Sequence, residues 1–166
     1  MPKRIVINTG PVIALVAGLG NLDVLKNLYD EVYVTREVAT ELLIKGLDRF
    51  AAKEFEDADF LIKIETTLAI SPFLRNMLDT GEASVIQYAL DSNIPLVCID
   101  ESAGRRIARL NELKITGSIG IILKAKSEGL INEIKPVLNR MVKHGIFISP
   151  KVISFALNQA NENRSL

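Results

Sequence analysis

The chain of 166 residues has little of several features that mark specialised protein classes. Its one cysteine, Cys98, excludes an intrachain disulfide framework, so a reducing compartment is expected. Its 20 basic and 20 acidic residues give zero net charge, so nucleic-acid binding would need a local basic patch. No apolar run reaches the roughly 18 residues of a membrane span, and the first residues lack a signal-peptide core. These absences predict a cytoplasmic protein without a membrane partner.

Motifs for zinc and nucleotide binding are also missing. A single histidine, His144, and a single cysteine cannot form a His/Cys zinc cluster. Residues 18–20, Gly-Leu-Gly, join two predicted helices and follow no strand, so they are not a dinucleotide fingerprint. His144 stands near a predicted helix end, where it is expected to meet the last carbonyls. Cys98 lies inside an apolar strand and is expected to be an inert core thiol.

The chain does have short apolar runs that alternate with helical patterns. Strands are predicted at 5–7, 32–34, 61–64, 95–99 and 114–116. Helices are predicted at 12–17, 21–28, from 35, 48–56, 73–78, 79–91, after 100, from 117, 132–143 and 150–159. Continuous apolar strands between helices are typical of a parallel sheet covered on both faces. We expect one domain over residues 1–166.

Polar side chains stand where two of these strands end. Asn8 ends the strand predicted at 5–7. Asp100 ends the strand predicted at 95–99 and is followed by Glu101. Ligand crevices of such sheets lie outside the carboxyl ends of the strands. Glu82 lies on the apolar stripe of its predicted helix, where a carboxylate is costly unless it is paired or binds a cation. Glu41, three residues after Val38 and beside Leu42, lies near the apolar stripe of its own helix and is a weaker example of the same pattern.

Carboxylate and amide oxygens in such a cluster suit a hard cation such as Mg²⁺ or Mn²⁺. A cation held there can activate water and stabilise the charge of a phosphodiester displacement. The pattern therefore favours a divalent-cation site.

Each residue also has a plainer interpretation. Asp100 can cap the helix that follows it, and Glu82 can complete a capping box that Asp79 begins. Asn8 can be a turn or cap residue, and Glu41 can lie on a solvated helix face. The joint placement of these residues, rather than any one of them, favours a metal site.

Basic and apolar residues near the acidic positions leave further alternatives open. Arg105 and Arg109 share a helix face and can contact a phosphate backbone, or Arg105 can pair with Glu101 one turn earlier. Residues 117–120, Gly-Ser-Ile-Gly, can present N–H groups to a phosphate or form a tight turn. The last helix is apolar enough to cover the core or to join a dimer.

Several segments resemble, in order, the motifs of PIN domains. Residues 5–15, Ile-Val-Ile-Asn-Thr-Gly-Pro-Val-Ile-Ala-Leu, resemble the opening motif, most closely in the branch related to VapC toxins. Residues 38–42, 79–83 and 98–101, the last followed by Arg105, resemble the second, third and fourth acidic positions. Residues 115–120 and 129–131 resemble the segment that closes the fold.

The resemblance implies a three-layer α/β/α fold with a mostly parallel central sheet. It implies a Mg²⁺- or Mn²⁺-dependent ribonuclease with an RNA substrate. It also implies a toxin role with an antitoxin partner, and a homodimer.

The resemblance also assigns residues to the site. Asn8, Glu82 and Asp100 flank the metal, with Glu101 and Glu41 nearby. Thr9 and Ser118 supply hydroxyls that support these residues or face a phosphate, and Arg105 faces the substrate.

One residue departs from the pattern of most active PIN nucleases, which have aspartate where this chain has Asn8. An amide oxygen can bind a metal but brings no charge, so it weakens the binding of a divalent ion. Two hypotheses follow: a metal-dependent endoribonuclease, and a PIN-like module without catalysis that binds RNA or a protein partner. A phosphoacceptor domain is disfavoured, because the early acidic pair and the closing lysine of such domains are missing.

Overall fold

The structure is a computed structural model that describes residues 1–44 and 49–163. A five-stranded sheet, parallel at every pairing, lies between layers of helices. The strands are Arg4–Ile7 (β1), Glu31–Val34 (β2), Leu61–Lys63 (β3), Leu96–Cys98 (β4) and Lys114–Thr116 (β5). The predicted three-layer α/β/α fold with a mostly parallel sheet is confirmed.

Ten helices occur within the described residues. They are Thr9–Leu19 (α1), Asp23–Leu28 (α2), Arg36–Ile44 (α3), Arg49–Asp57 (α4), Pro72–Met77 (α5), Thr80–Asp91 (α6), Ser102–Leu110 (α7), Ser118–Ser127 (α8), Lys135–Lys143 (α9) and Pro150–Gln159 (α10). Asp48, the predicted first residue of the fourth helix, lies outside the described residues. None of the described helices is long and apolar enough to cross a bilayer.

The central strand explains why the sheet needs cover on both faces. Ile5, Val6 and Ile7 of β1 are consecutive and all fully buried, although successive side chains of a strand point to opposite faces. β1 pairs with β2 on one side and β4 on the other, with Val6 aligned to both Tyr33 and Val97.

The strand order places a crevice at one position in the sheet. The order is β3-β2-β1-β4-β5, so the chain builds outward from β1 and then returns to its other side. In open parallel sheets this reversal leaves a crevice beyond the carboxyl ends of the two strands that flank it. Here those strands are β1 and β4, which end immediately before Asn8 and shortly before Asp100.

Two helix boundaries differ from the prediction. The break expected at residues 18–20 comes later, because Gly18 stays helical and lets α9 pack against it. A Cβ at Gly18 would lie 2.8 Å from side-chain atoms of Val137 and Met141. Gly20, at φ +84°, ends α1 in the left-handed conformation.

The α9 helix begins at Lys135, three residues after the predicted start at 132. Pro136 in its first turn suits a helix start. Glu162, from far along the chain, accepts hydrogen bonds from the N–H groups of Ile134 (2.7 Å) and Lys135 (3.0 Å). This distant cap fixes the boundary, and no local pattern indicates it.

Candidate metal centre

The ends of β1 and β4 bring the predicted strand-end residues into one region. The N–H of Asn8 donates to the carbonyl of Cys98 (3.0 Å), which extends the parallel ladder by one step. Asn8 stands at the N-cap position of α1, but its side chain makes no capping hydrogen bond. Asn8 is therefore the cap residue of α1 by its backbone position, and its side chain takes no part in capping.

The first turn of α6 carries Glu82 into the interior. Asp79 is the N-cap, and its Oδ1 accepts from the Glu82 N–H at 2.9 Å. The Glu82 side chain is only 4% exposed. Gly104 of α7 makes room for it, because a Cβ there would clash with Glu82 Oε2. A larger residue at this position would displace the carboxylate.

Three carboxylates meet at this point. One oxygen each of Asp79, Glu82 and Glu101 lies within 4.8 Å of the others, with Glu82 buried and its two neighbours exposed. Glu101 is the N-cap of α7 but makes no side-chain capping bond. Burial first, and then the neighbouring carboxylates of Asp79 and Glu101, raises the pKa of Glu82 to about 8.

The cluster has the character of a cation site. Two like charges 4 Å apart repel by about 4 kcal/mol at an effective dielectric constant near 20, unless a proton or a cation intervenes. The two ion pairs within residues 1–44 and 49–163 join Lys26 to Asp23 and Lys126 to Glu162, so neither neutralises the cluster.

Unpaired buried oxygens give a further test of whether a metal fits. In the described part of the chain, three buried side-chain oxygens lack a hydrogen-bond partner: Asn8 Oδ1, Glu82 Oε2 and Glu37 Oε1. A buried oxygen without a partner costs roughly 1–3 kcal/mol. Two of these three belong to the predicted site, and their hard oxygen character fits Mg²⁺ or Mn²⁺.

Asp100 lies beside the cluster but faces the start of α8. Its Oδ1 accepts from the Ser118 N–H (2.8 Å), and its Oδ2 accepts from the Ser118 hydroxyl (2.9 Å). The interpretation of Asp100 as the cap of the following helix is wrong, because it caps α8, which is distant in sequence. Gly117 permits this approach, since a Cβ there would lie 2.6 Å from Asp100 Oδ1.

Glu41 reaches the same region from α3. Its Oε2 accepts from the Thr9 hydroxyl at 2.6 Å, so the side chain is tied to the start of α1. Its carboxylate also lies against Gly81 in the first turn of α6, where a Cβ would come within 2.5 Å of Oε1. Thr9 and Ser118 thus each donate to an acidic side chain of this region.

Arg105 supplies the basic group of the region. Its Nη1 donates to the carbonyl of Ile99 at 2.8 Å. The alternative pairing with Glu101 is not formed, although the backbone N–H of Arg105 bonds the Glu101 carbonyl. Arg109 of the same helix is exposed. The guanidinium stays beside Asp100 on the Gly117 side.

Asp79 is the residue that sequence reasoning missed as a cluster member. Its position before the helix indicates only a cap, and it does cap α6 through Oδ1. The same side chain also belongs to the carboxylate cluster. The spacing of Asp79 and Glu82, which places both in one helical turn, is the signal that could have indicated this second role.

The two weaker candidates behave as expected. His144 Nδ1 lies 2.8 Å from the Arg140 carbonyl at the end of α9. Cys98 is fully buried, and burial raises the pKa of its thiol well above the ordinary value. A thiol that is both buried and protonated is unreactive.

The sequence as a whole agrees with this geometry. Comparison with curated proteins gave no significant match. A family model described as a PIN domain, DUF3368, matches residues 4–162, which include all five strands and the acidic cluster. The chain therefore belongs to the PIN-domain family.

Proposed function

We propose that this protein is a divalent-metal-dependent endoribonuclease. The observation that supports this most strongly is the coincidence of two features that share Glu82. Three carboxylates converge where the strand order reverses, and two buried oxygens of the same region, on Asn8 and Glu82, lack partners. Either feature alone has a structural explanation, but together they describe a site that a cation completes.

Roles follow for the residues of the cluster. Glu82, Glu101 and Asp79 would hold Mg²⁺ or Mn²⁺, with Asn8 as a neutral oxygen ligand at the buried side. A bound divalent ion supplies an activated water and neutralises charge that develops on a phosphodiester. Asp79 and Glu101 are exposed, so a substrate can approach from their side.

Asp100, Glu41 and Arg105 would support the substrate side of the site. Asp100 and Ser118 form one hydrogen-bonded unit, and Glu41 and Thr9 form another. Arg105 uses one of the five guanidinium N–H donors on Ile99, which leaves capacity for a phosphate oxygen. The polymer is RNA by the family resemblance, and an antitoxin partner and a homodimer belong to the same proposal.

The test is cleavage of a mixed RNA pool by the purified protein with Mn²⁺, Mg²⁺ or EDTA. We expect cleavage with either metal, none in EDTA, and a loss of at least about tenfold in Asp100→Asn. Asparagine retains an oxygen that can accept from the Ser118 N–H, so the fold should persist. Cleavage in EDTA, or an Asp100→Asn variant as active as the wild type, would contradict the proposal.

A second function is favoured by Asn8 itself, which brings no charge to a site that PIN nucleases usually build with aspartate. On this alternative the chain binds RNA or a protein partner without cleaving it. Cation-dependent turnover of RNA in molar excess over the protein would exclude it.

Asn8→Asp distinguishes the ligand role of Asn8 from a structural one. Adding an anion to the cluster should tighten Mn²⁺ binding by about tenfold, because affinity for a divalent ion grows with the number of charged ligands. Titration calorimetry measures the change directly. Unchanged or weaker binding would place Asn8 away from the metal.

A further inference from the structure

A groove of about 500 Å³ opens beside Asp100 and Arg105, between the end of β5, the start of α8 and the face of α10. We call it the α8–α10 groove. Its lining includes two charged residues, Asp100 and Arg105, and five large apolar ones, Ile115, Ile119, Leu123, Val152 and Phe155. Its volume lies within the range of small-ligand sites. The site described above uses only its charged part.

Phe155 is an exposed aromatic residue on a rigid element. Its side chain is 57% exposed, and Val152, one turn earlier on the same face, is 39% exposed. Ser149 caps α10 by accepting from the Val152 N–H, and the neighbouring Ala156 is fully buried. The ring is thus held at the groove by an ordered helix, and such exposed apolar surface commonly marks an interaction site.

The charged part of the groove says what kind of ligand suits it. Arg105 carries the positive charge that a phosphate requires. Asp100, which lines the groove, is followed directly in sequence by Glu101 of the cluster. A ligand that fills the groove while it contacts the cluster therefore needs an anionic group and a flat apolar group. A nucleotide with an unstacked base has both.

We propose that the α8–α10 groove is a nucleobase subsite for single-stranded RNA, with Phe155 stacking on one base. This proposal rests on the proposed function, because it places the phosphate of the same nucleotide at Arg105 of the proposed nuclease site. The apolar walls give the subsite little preference among bases, because every base has a face that can stack. The subsite requires an unpaired strand, since a duplex does not offer the face of its bases.

The chain contains no tryptophan, and this permits a direct optical test. Phe155→Trp introduces a single tryptophan at the groove, which can be excited apart from the three tyrosines, and a stacked base quenches it. Phe147→Trp is the matched control, because Phe147 is 87% exposed between α9 and α10 and does not line the groove. The probe is a short single-stranded RNA oligonucleotide, titrated in EDTA so that metal-dependent cleavage is prevented.

The expected result is quenching in Phe155→Trp and none in Phe147→Trp. Phe155→Ala should weaken binding of the oligonucleotide by about tenfold, with Phe147→Ala unchanged. Both phenylalanines are exposed, so all four variants should melt like the wild type. The affinity for a duplex RNA of the same sequence should be the same in the wild type and in Phe155→Ala.

Three results would overturn the subsite: no binding of single-stranded RNA by the wild type, equal affinities of wild type and Phe155→Ala, or equal quenching in the two tryptophan variants. If the wild type is a dimer that Phe155→Ala dissociates without loss of RNA affinity, a second copy of the chain covers the groove instead. Phe155-dependent binding without cleavage in Mn²⁺ would leave the subsite standing and overturn the nuclease proposal.

Discussion

Replacing Glu82 by glutamine is expected to lower Mn²⁺-dependent RNA cleavage by at least about a hundredfold, the typical effect of removing one preorganised electrostatic group. The same change should stabilise the metal-free protein. Glu82 is buried with an unpaired Oε2, and the neighbouring carboxylates of Asp79 and Glu101 oppose its charge. A glutamine amide has the same shape, carries no charge and can donate to either neighbour.

The stability gain separates a functional role of Glu82 from a structural one. We expect the free energy of unfolding to rise by ~1 kcal/mol or more at pH 8, a shift of about 2–4 °C in the melting temperature. Thermal unfolding in EDTA measures it, and Asp91→Asn on the exposed side of α6 is the matched control. A Glu82→Gln protein that is less stable than the wild type would show that the carboxylate supports the fold.

The second large effect is the dependence of metal binding on pH. The pKa of Glu82 is about 8 in the folded protein, against an ordinary value of 4.5. A metal must displace this proton. As the pH rises towards about 8, Mn²⁺ affinity should therefore increase roughly tenfold per pH unit, and above about pH 8 it should level off. Titration calorimetry at pH 6, 7 and 8 measures this slope. Equal affinities at these three values would contradict it.

The same pKa has a defined sign for stability. Because the folded pKa lies above the unfolded one, the contribution of Glu82 is fully favourable below about pH 4.5 and is lost as the pH rises through about 8. The difference in melting temperature between wild type and Glu82→Gln should therefore grow between pH 5 and pH 8. Saturating Mn²⁺ should raise the melting temperature of the wild type more than that of Glu82→Gln, since the metal binds only the folded site.

Much of the fold could be predicted from the sequence because its signals are local. β1, β2 and β4 contain short apolar runs, and β1 is buried on both faces, as its lack of alternation indicates. The carboxyl ends of parallel strands share one edge of the sheet, so the strand pattern alone places Asn8 and Asp100 at the same edge. The start of α9 could not be predicted, because its cap is Glu162, which lies on a different part of the chain.

The sequence indicated Glu82 and Glu101 of the acidic cluster, but it did not indicate Asp79 or the bonds that Asp100 makes to Ser118. Glu82 could be identified because a carboxylate on the apolar stripe of a helix is costly to bury unless it is paired or binds a cation. Asp79 did not, because a capping aspartate and a metal-binding aspartate have the same local pattern. The bond from Asp100 to Ser118 joins positions 18 residues apart and depends on the approach of Gly117, which is a tertiary feature. The α8–α10 groove depends on the packing of α10 on α8 in the same way.

The central claim is that Asp79, Glu82 and Glu101 form a divalent-cation site. Its most direct test is a titration of the metal-free protein with Mn²⁺ at pH 8, followed by electron paramagnetic resonance, with wild type and Glu82→Gln side by side. The account predicts one bound Mn²⁺ per chain in the wild type and at least about hundredfold weaker binding in Glu82→Gln. No bound Mn²⁺ in the wild type, or the same affinity in both proteins, would contradict it.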